Sequence, residues 1–216
     1  MNIADVHTHN KYPQPENVRT VFNLSIEHGS DIQSFSPQQF FSIGIHPRRL
    51  LDDYTRENRL LLRKYIKDRQ FIFVGECGLD KYANVTSANQ IAAFEEHIQL
   101  SETTQKPLLI HCVGRFNKLI EIKKAVRPTQ KWIVHGFRNK PQLAGQLLNA
   151  GCDLSFGEYF NQESLRITPL PQLFLETDES SLPIAAIYAK AAAVKNCSLD
   201  DLSAGLKLLS RYSGFT

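Results

Sequence analysis

Asp5-Val6-His7-Thr8-His9 places a carboxylate and two imidazoles at alternate positions of a short apolar segment near the start of the chain. Side chains at i and i+2 of a strand share a face, so His7 and His9 can chelate one ion from a single strand, with Asp5 one step deeper. Four further donors follow at wide intervals. They are Glu76 in Val74-Gly75-Glu76-Cys77-Gly78, His111 in Leu109-Ile110-His111-Cys112, His135 in Ile133-Val134-His135-Gly136, and Asp178 in Leu175-Glu176-Thr177-Asp178. Each is read as ending an apolar run. Six metal-competent side chains at strand ends are the pattern of a two-metal hydrolase in a β/α barrel, where C-terminal strand ends converge on one mouth. Imidazole and carboxylate suit zinc, manganese, iron or nickel, and carboxylate with water also suits magnesium.

The elements that must position these donors alternate. Apolar, β-branched runs predict strands over 3–7, 19–26, 40–45, 71–76, 107–112, 131–135, 152–156 and 172–177. Helical spacing predicts helices over 53–68, 87–104, 115–126, 140–150, 183–196 and 199–213. Ser87 and Gln90 read as a capping box, Pro183 suits a first helical turn, and Ser198 opens the last helix. The rhythm is that of an α/β protein, a (β/α)8 TIM-type barrel. It fails between His9 and His46, where Pro13, Pro15 and Pro37 leave no convincing helix and two βαβ units of about 30 residues each do not fit. The barrel is therefore expected to be shortened and irregular over its first three strands, with an outer helix missing.

Composition sets bounds. The 216 residues read as one domain over 1–216, with no linker or repeat, and 42% apolar and 22% charged residues are ordinary for a globular chain. The first strand begins almost at Met1 and no apolar run reaches the ~18 residues of a membrane span, so no signal peptide, no membrane contact and a cytoplasmic location are expected. No obligatory protein partner is evident. A net charge of +3 does not oppose an anionic substrate. The four cysteines form no C-x-x-C pair, and Cys77 and Cys112 read as small buried thiols on the strand face opposite the ligands.

Arginines point to substrate charge. Arg48 and Arg49 follow His46, Arg115 follows His111, and Arg138 follows His135, which puts guanidinium groups on three βα loops. Their planar forks suit phosphate. Tyr12, Phe116, Phe137, Tyr159 and Phe160 lie near those turns, where stacking on bases and core packing are equally open. His28 and His97 have no such context and read as solvated. Asp80 reads as an acceptor for loop amides after Glu76. Glu176 shares the face of Asp178, and the alternatives of a layer below the metals and a bond to a ligand histidine stay open.

These segments, with Gly44-Ile45-His46-Pro47, Gly75-Glu76-Cys77-Gly78-Leu79-Asp80, Pro107 to His111, Val134-His135-Gly136-Phe137 and Glu176-Thr177-Asp178, resemble the TatD family of metal-dependent deoxyribonucleases, in the family's order and over most of the chain. The resemblance implies two divalent ions (zinc, magnesium or manganese). His7, His9 and Asp178 would hold one, His111 and His135 the other, and Glu76 would bridge them. It also implies that His46 helps hold the phosphate. The expected activity is phosphodiester hydrolysis of DNA, of 3'-5' exonuclease type, by a metal-activated water, with Asp178 and His46 catalytic and His46, Arg48, Arg115 and Arg138 on the substrate. The alternatives are a two-metal amidohydrolase or lactonase acting on a small molecule, and a small-molecule phosphoesterase.

Overall fold

The computed structural model describes residues 2–10, 15–26, 29, 36 and 39–212. Eight strands form one sheet in the order β1 to β8: Ile3–Thr8, Val18–Leu24, Phe40–Ile43, Phe71–Asp80, Leu108–Val113, Trp132–Val134, Asp153–Phe156 and Leu173–Leu175. A parallel bridge between Thr8 and Asp178 joins the ends of that order. The helices are α1 (Leu50–Asp53), α2 (Arg56–Tyr65), α3 (Ser87–Thr104), α4 (Phe116–Val126), α5 (Pro141–Asn149), α6 (Gln162–Ile167), α7 (Ile184–Lys195) and α8 (Ala204–Leu209). This is the expected (β/α)8 order. Among the described residues no α-helix separates β1 from β3, and β1 and β2 are joined by residues 9–17 alone. Tyr12, Pro13, His28 and Pro37 lie outside the described residues. No helix is long and apolar enough to cross a membrane among the residues described.

Several boundaries differ from expectation for local reasons. Strand β4 runs on to Asp80, so Glu76 lies within the strand rather than at its end. Its pairing with β5 shifts register between Val74 and Cys77. Gly75 and Gly78 (φ 143° and 140°) let the backbones approach so closely that a Cβ would stand 2.3 Å from the Leu109 oxygen and 2.1 Å from the His111 oxygen. The helix expected over 53–68 is broken before Thr55, whose hydroxyl caps α2 by accepting the Asn58 amide. Thr86, not Ser87, caps α3, and Gln90 turns instead to the Asp80 backbone, accepting its N–H at 2.8 Å and donating to its carbonyl at 3.0 Å. Pro183 caps α7 rather than entering it. The last helix shrinks because Ser198 and Asp201 bond each other in a turn that precedes it. Helix α6 was too short to give a periodic signal.

The chain divides into two compact units. The first comprises Met1–Phe22 with Val134–Thr216. There β1 is buried throughout, and Tyr188 of α7 ties itself to it, donating to the Ala4 carbonyl at 3.0 Å and accepting the Ala4 amide at 3.2 Å. Gly205 lets α8 approach the Ala4 methyl. The second unit is Asn23–Ile133. Its helix α3 lays Ala93, Phe94 and Ile98 against the core, with the Phe94 ring edge-on to Trp132 at 5.3 Å.

His97 corrects the solvated reading. It is 1% exposed, accepts the Ile45 amide at Nε2 (3.0 Å), and its Nδ1 lies 2.7 Å from the Ala93 carbonyl. A neutral ring with the proton on Nδ1 satisfies both. Burial holds its pKa below the usual value of 6.5. The unfolded ring protonates near its ordinary pKa while the folded one stays neutral, so this contribution is intact above about pH 6.5 and is lost as pH falls below it. The stability advantage of wild type over His97→Gln is expected to shrink by up to about 1.4 kcal/mol per pH unit in that window. Urea titrations from pH 7.5 to 5 measure it, and a difference independent of pH refutes it.

Candidate metal centre

In the first unit three elements converge. β1 supplies His7, the turn after β6 supplies His135, and the segment after β8 supplies Asp178, with donor atoms of all three within 4.8 Å of one another. Asp178 Oδ1 lies 3.5 Å from His7 Nε2 and 3.6 Å from His9 Nε2. Those separations are long for hydrogen bonds. They match two ligands on one tetrahedral ion, which at about 2.1 Å each stand about 3.4 Å apart. The residues therefore fit a divalent metal.

The local fold fixes these side chains. Asp178 sits at φ 53°, a conformation Asp tolerates better than most residues. Its amide donates to the His7 carbonyl and its carbonyl accepts from the His9 amide, both at 3.0 Å. Asp5, beneath, accepts the Thr177 amide at 3.0 Å and its hydroxyl at 2.7 Å. Burial pushes the Asp5 carboxyl up to about 7 against the pull of those bonds. The choice left open for Glu176 is resolved. Its Oε1 accepts the Gly136 amide at 2.6 Å and lies 3.4 Å from His135 Nδ1, so it braces the turn that presents His135.

In the second unit His46, Glu76 and His111 also bring donors within 4.8 Å. Glu76 Oε1 lies 2.9 Å from His111 Nδ1 and 3.3 Å from His46 Nε2. The two histidines differ in kind. His46 caps the turn Pro47–Arg49, its Nδ1 accepting the Arg48 amide at 3.1 Å. A neutral His46 then carries its proton on Nε2, which makes it a donor rather than a ligand. His111 stands between two carboxylates, with Nε2 3.0 Å from Asp80 Oδ2. A neutral imidazole donates to one of these two carboxylates and turns a lone pair toward the other, a place where a cation would fit.

Asp80 does accept a loop amide, from Tyr82 at 2.8 Å, as expected, but it also meets His111 and accepts from Arg48 Nε at 2.5 Å. Burial raises its pKa, but the Tyr82 amide, Arg48 and His111 together outweigh that and hold it below the ordinary value. Sequence reasoning missed this pairing of Asp80 with His111, because they lie 31 positions apart and meet only through the β4–β5 register. Arg48 is half-exposed and tied to Asp80, whereas Arg115, at the N-terminus of α4, and Arg138 are exposed. Cys77 and Cys112 are buried.

Comparison to known proteins gives the family. The model of the TatD-related DNase family matches residues 6–198. The chain belongs to that family. A metal-dependent hydrolase of Buchnera aphidicola is 34% identical over 153 residues, 65% of this chain and 56% of that protein. A 3'-5' ssDNA/RNA exonuclease TatD of Erwinia tasmaniensis is 30% identical over 146 residues, 62% and 56%. The chain thus spans little more than half the length of these TatD-family relatives. The crystal structure of the Escherichia coli TatD homologue YJJV covers 99% of the chain at TM-score 0.79 and 18% identity, which supports the fold.

Proposed function

We propose that this TatD-family chain is a two-metal phosphodiesterase that removes nucleotides from DNA in the 3'-5' direction, with residues 1–216 as its hydrolase domain. The observation that carries the reading is the packing of two imidazoles around the Asp178 carboxylate at metal-ligand separations. His7, His9, Glu76, His111, His135 and Asp178 are the proposed ligands. The name of the Erwinia relative supplies the substrate class. Divalent ions bound there lower the pKa of a water and offset charge on a phosphoryl oxygen. Asp178, half-exposed, accepts the water's proton. His46, its proton fixed on Nε2 by the Arg48 amide, donates toward the phosphoryl oxygen. Arg115 and Arg138 contact the backbone of the strand.

Zinc- or manganese-loaded protein is expected to shorten single-stranded DNA bearing a free 3' end, and to spare DNA blocked there. Turnover of a lactone or cyclic amide with none of DNA overturns the reading in favour of a small-molecule hydrolase. Arg115→Ala and Arg138→Ala are each expected to weaken DNA binding and lower the slope of log K against log salt by about 0.7, the value per lost phosphate contact on a single strand. Metal content stays the same. Unchanged slopes in both variants remove these arginines from the substrate path.

A further inference from the structure

The cluster around His111 contains a device that the proposed reaction does not by itself require. Asp80 is fully buried in the second unit. Its backbone is clamped on both sides by Gln90, and its Oδ1 is occupied by the Tyr82 amide. These three ties leave Oδ2 aimed at His111 Nε2, with Arg48 donating to the same oxygen and offsetting its charge. The opposite ring nitrogen, Nδ1, faces Glu76 Oε1. A carboxylate can only accept. Glu76 is the same kind of acceptor, so a neutral ring can satisfy both carboxylates only when a cation stands between Nδ1 and Glu76; Asp80, held as an acceptor, then takes the proton on Nε2.

We propose that Asp80 is a positioning residue that selects the tautomer of His111, so that Nδ1 is the nitrogen offered to a divalent ion beside Glu76. This rests on the metal reading above but not on any substrate. Asp80→Asn separates it from a scaffolding role. The amide oxygen can still accept the Tyr82 N–H, so the turn persists. The amide nitrogen, now facing His111, donates to Nε2, while Arg48 loses its acceptor there and turns to solvent from its half-exposed position. The proton must then move to Nδ1, where it opposes the ion.

The probes are zinc alone and histidine labelled with nitrogen-15. In zinc-loaded wild type, His111 Nε2 is expected to give the shift of a protonated, pyrrole-like nitrogen. In Asp80→Asn that signal converts to the pyridine-like form. Zinc affinity, read by chelator competition, falls roughly 10- to 100-fold at one site, the usual loss when a ligand histidine loses its carboxylate partner, while the thermal midpoint holds. A pyridine-like Nε2 in wild type overturns the proposal, and needs no variant to fold. Unchanged zinc affinity in a folded Asp80→Asn protein overturns it too. Wild-type protein that binds no zinc defeats the metal reading and this inference together. Zinc binding with the expected signals but no hydrolysis of DNA defeats only the nuclease reading.

Discussion

Asp178→Asn is expected to lower turnover by roughly 10²- to 10⁴-fold, the range lost with a general base, while the protein stays folded. The substitution is clean for a backbone reason. Asp178 occupies the left-handed region, which Asn tolerates as well as Asp, whereas alanine would add strain to the effect being measured. The anchors of the residue are its own amide and carbonyl, bonded to His7 and His9, and these survive. What changes is the oxygen between the two imidazoles. An amide ligates weakly and cannot take a proton near neutral pH. The measurement is kcat on a chromogenic phosphodiester at saturating manganese, beside circular dichroism. Near-wild-type kcat in a folded, metal-loaded variant would falsify the role of Asp178.

The second large effect is structural. Gly78→Ala should destabilise the protein by about 3 kcal/mol or more, because it combines an unfavourable φ with backbone overlap. The new Cβ would meet the His111 carbonyl at 2.1 Å, a contact no side-chain rotation relieves. For a chain of this size that is a fall in the thermal midpoint of roughly 6–12 °C. Because the obstructed atom belongs to His111, surviving folded protein should also bind metal less tightly. A midpoint within 2 °C of wild type would show that β4 and β5 can separate at little cost.

The histidines and acidic residues proposed as ligands are legible because each lies in or beside an apolar strand whose period is two residues. Phase alone puts His7 and His9 on one face. The β/α alternation was legible for the same reason, down to helices such as α3 and α4, whose bounds match expectation within a residue. What escaped depends on register. Whether Glu76 ends its strand is decided by two glycines that let neighbouring backbones touch, and no periodicity reports that. His97 looks solvated because Glu95 and Glu96 directly precede it on its helix. Its partners, Ile45 and Ala93, are backbone groups, which carry no residue signature. Gln90 fitted a capping motif but found a better partner in a strand end ten positions earlier.

The bond between the Asp178 amide and the His7 carbonyl has a consequence for how the protein is made. His7 leaves the ribosome some 170 residues before its partner. At translation rates of about 5–20 residues per second the histidine strand waits roughly 10–35 s for the carboxylate that completes its cluster. The unit Asn23–Ile133 is contiguous and fully synthesised well before then. Nascent chains arrested before residue 178 should therefore protect α3 and β5 from proteolysis while leaving the amino-terminal strand open to cleavage. The site proposed at His7 and His9 is then complete only once residue 178 has been made, so a half-built site has no carboxylate with which to hold an ion early.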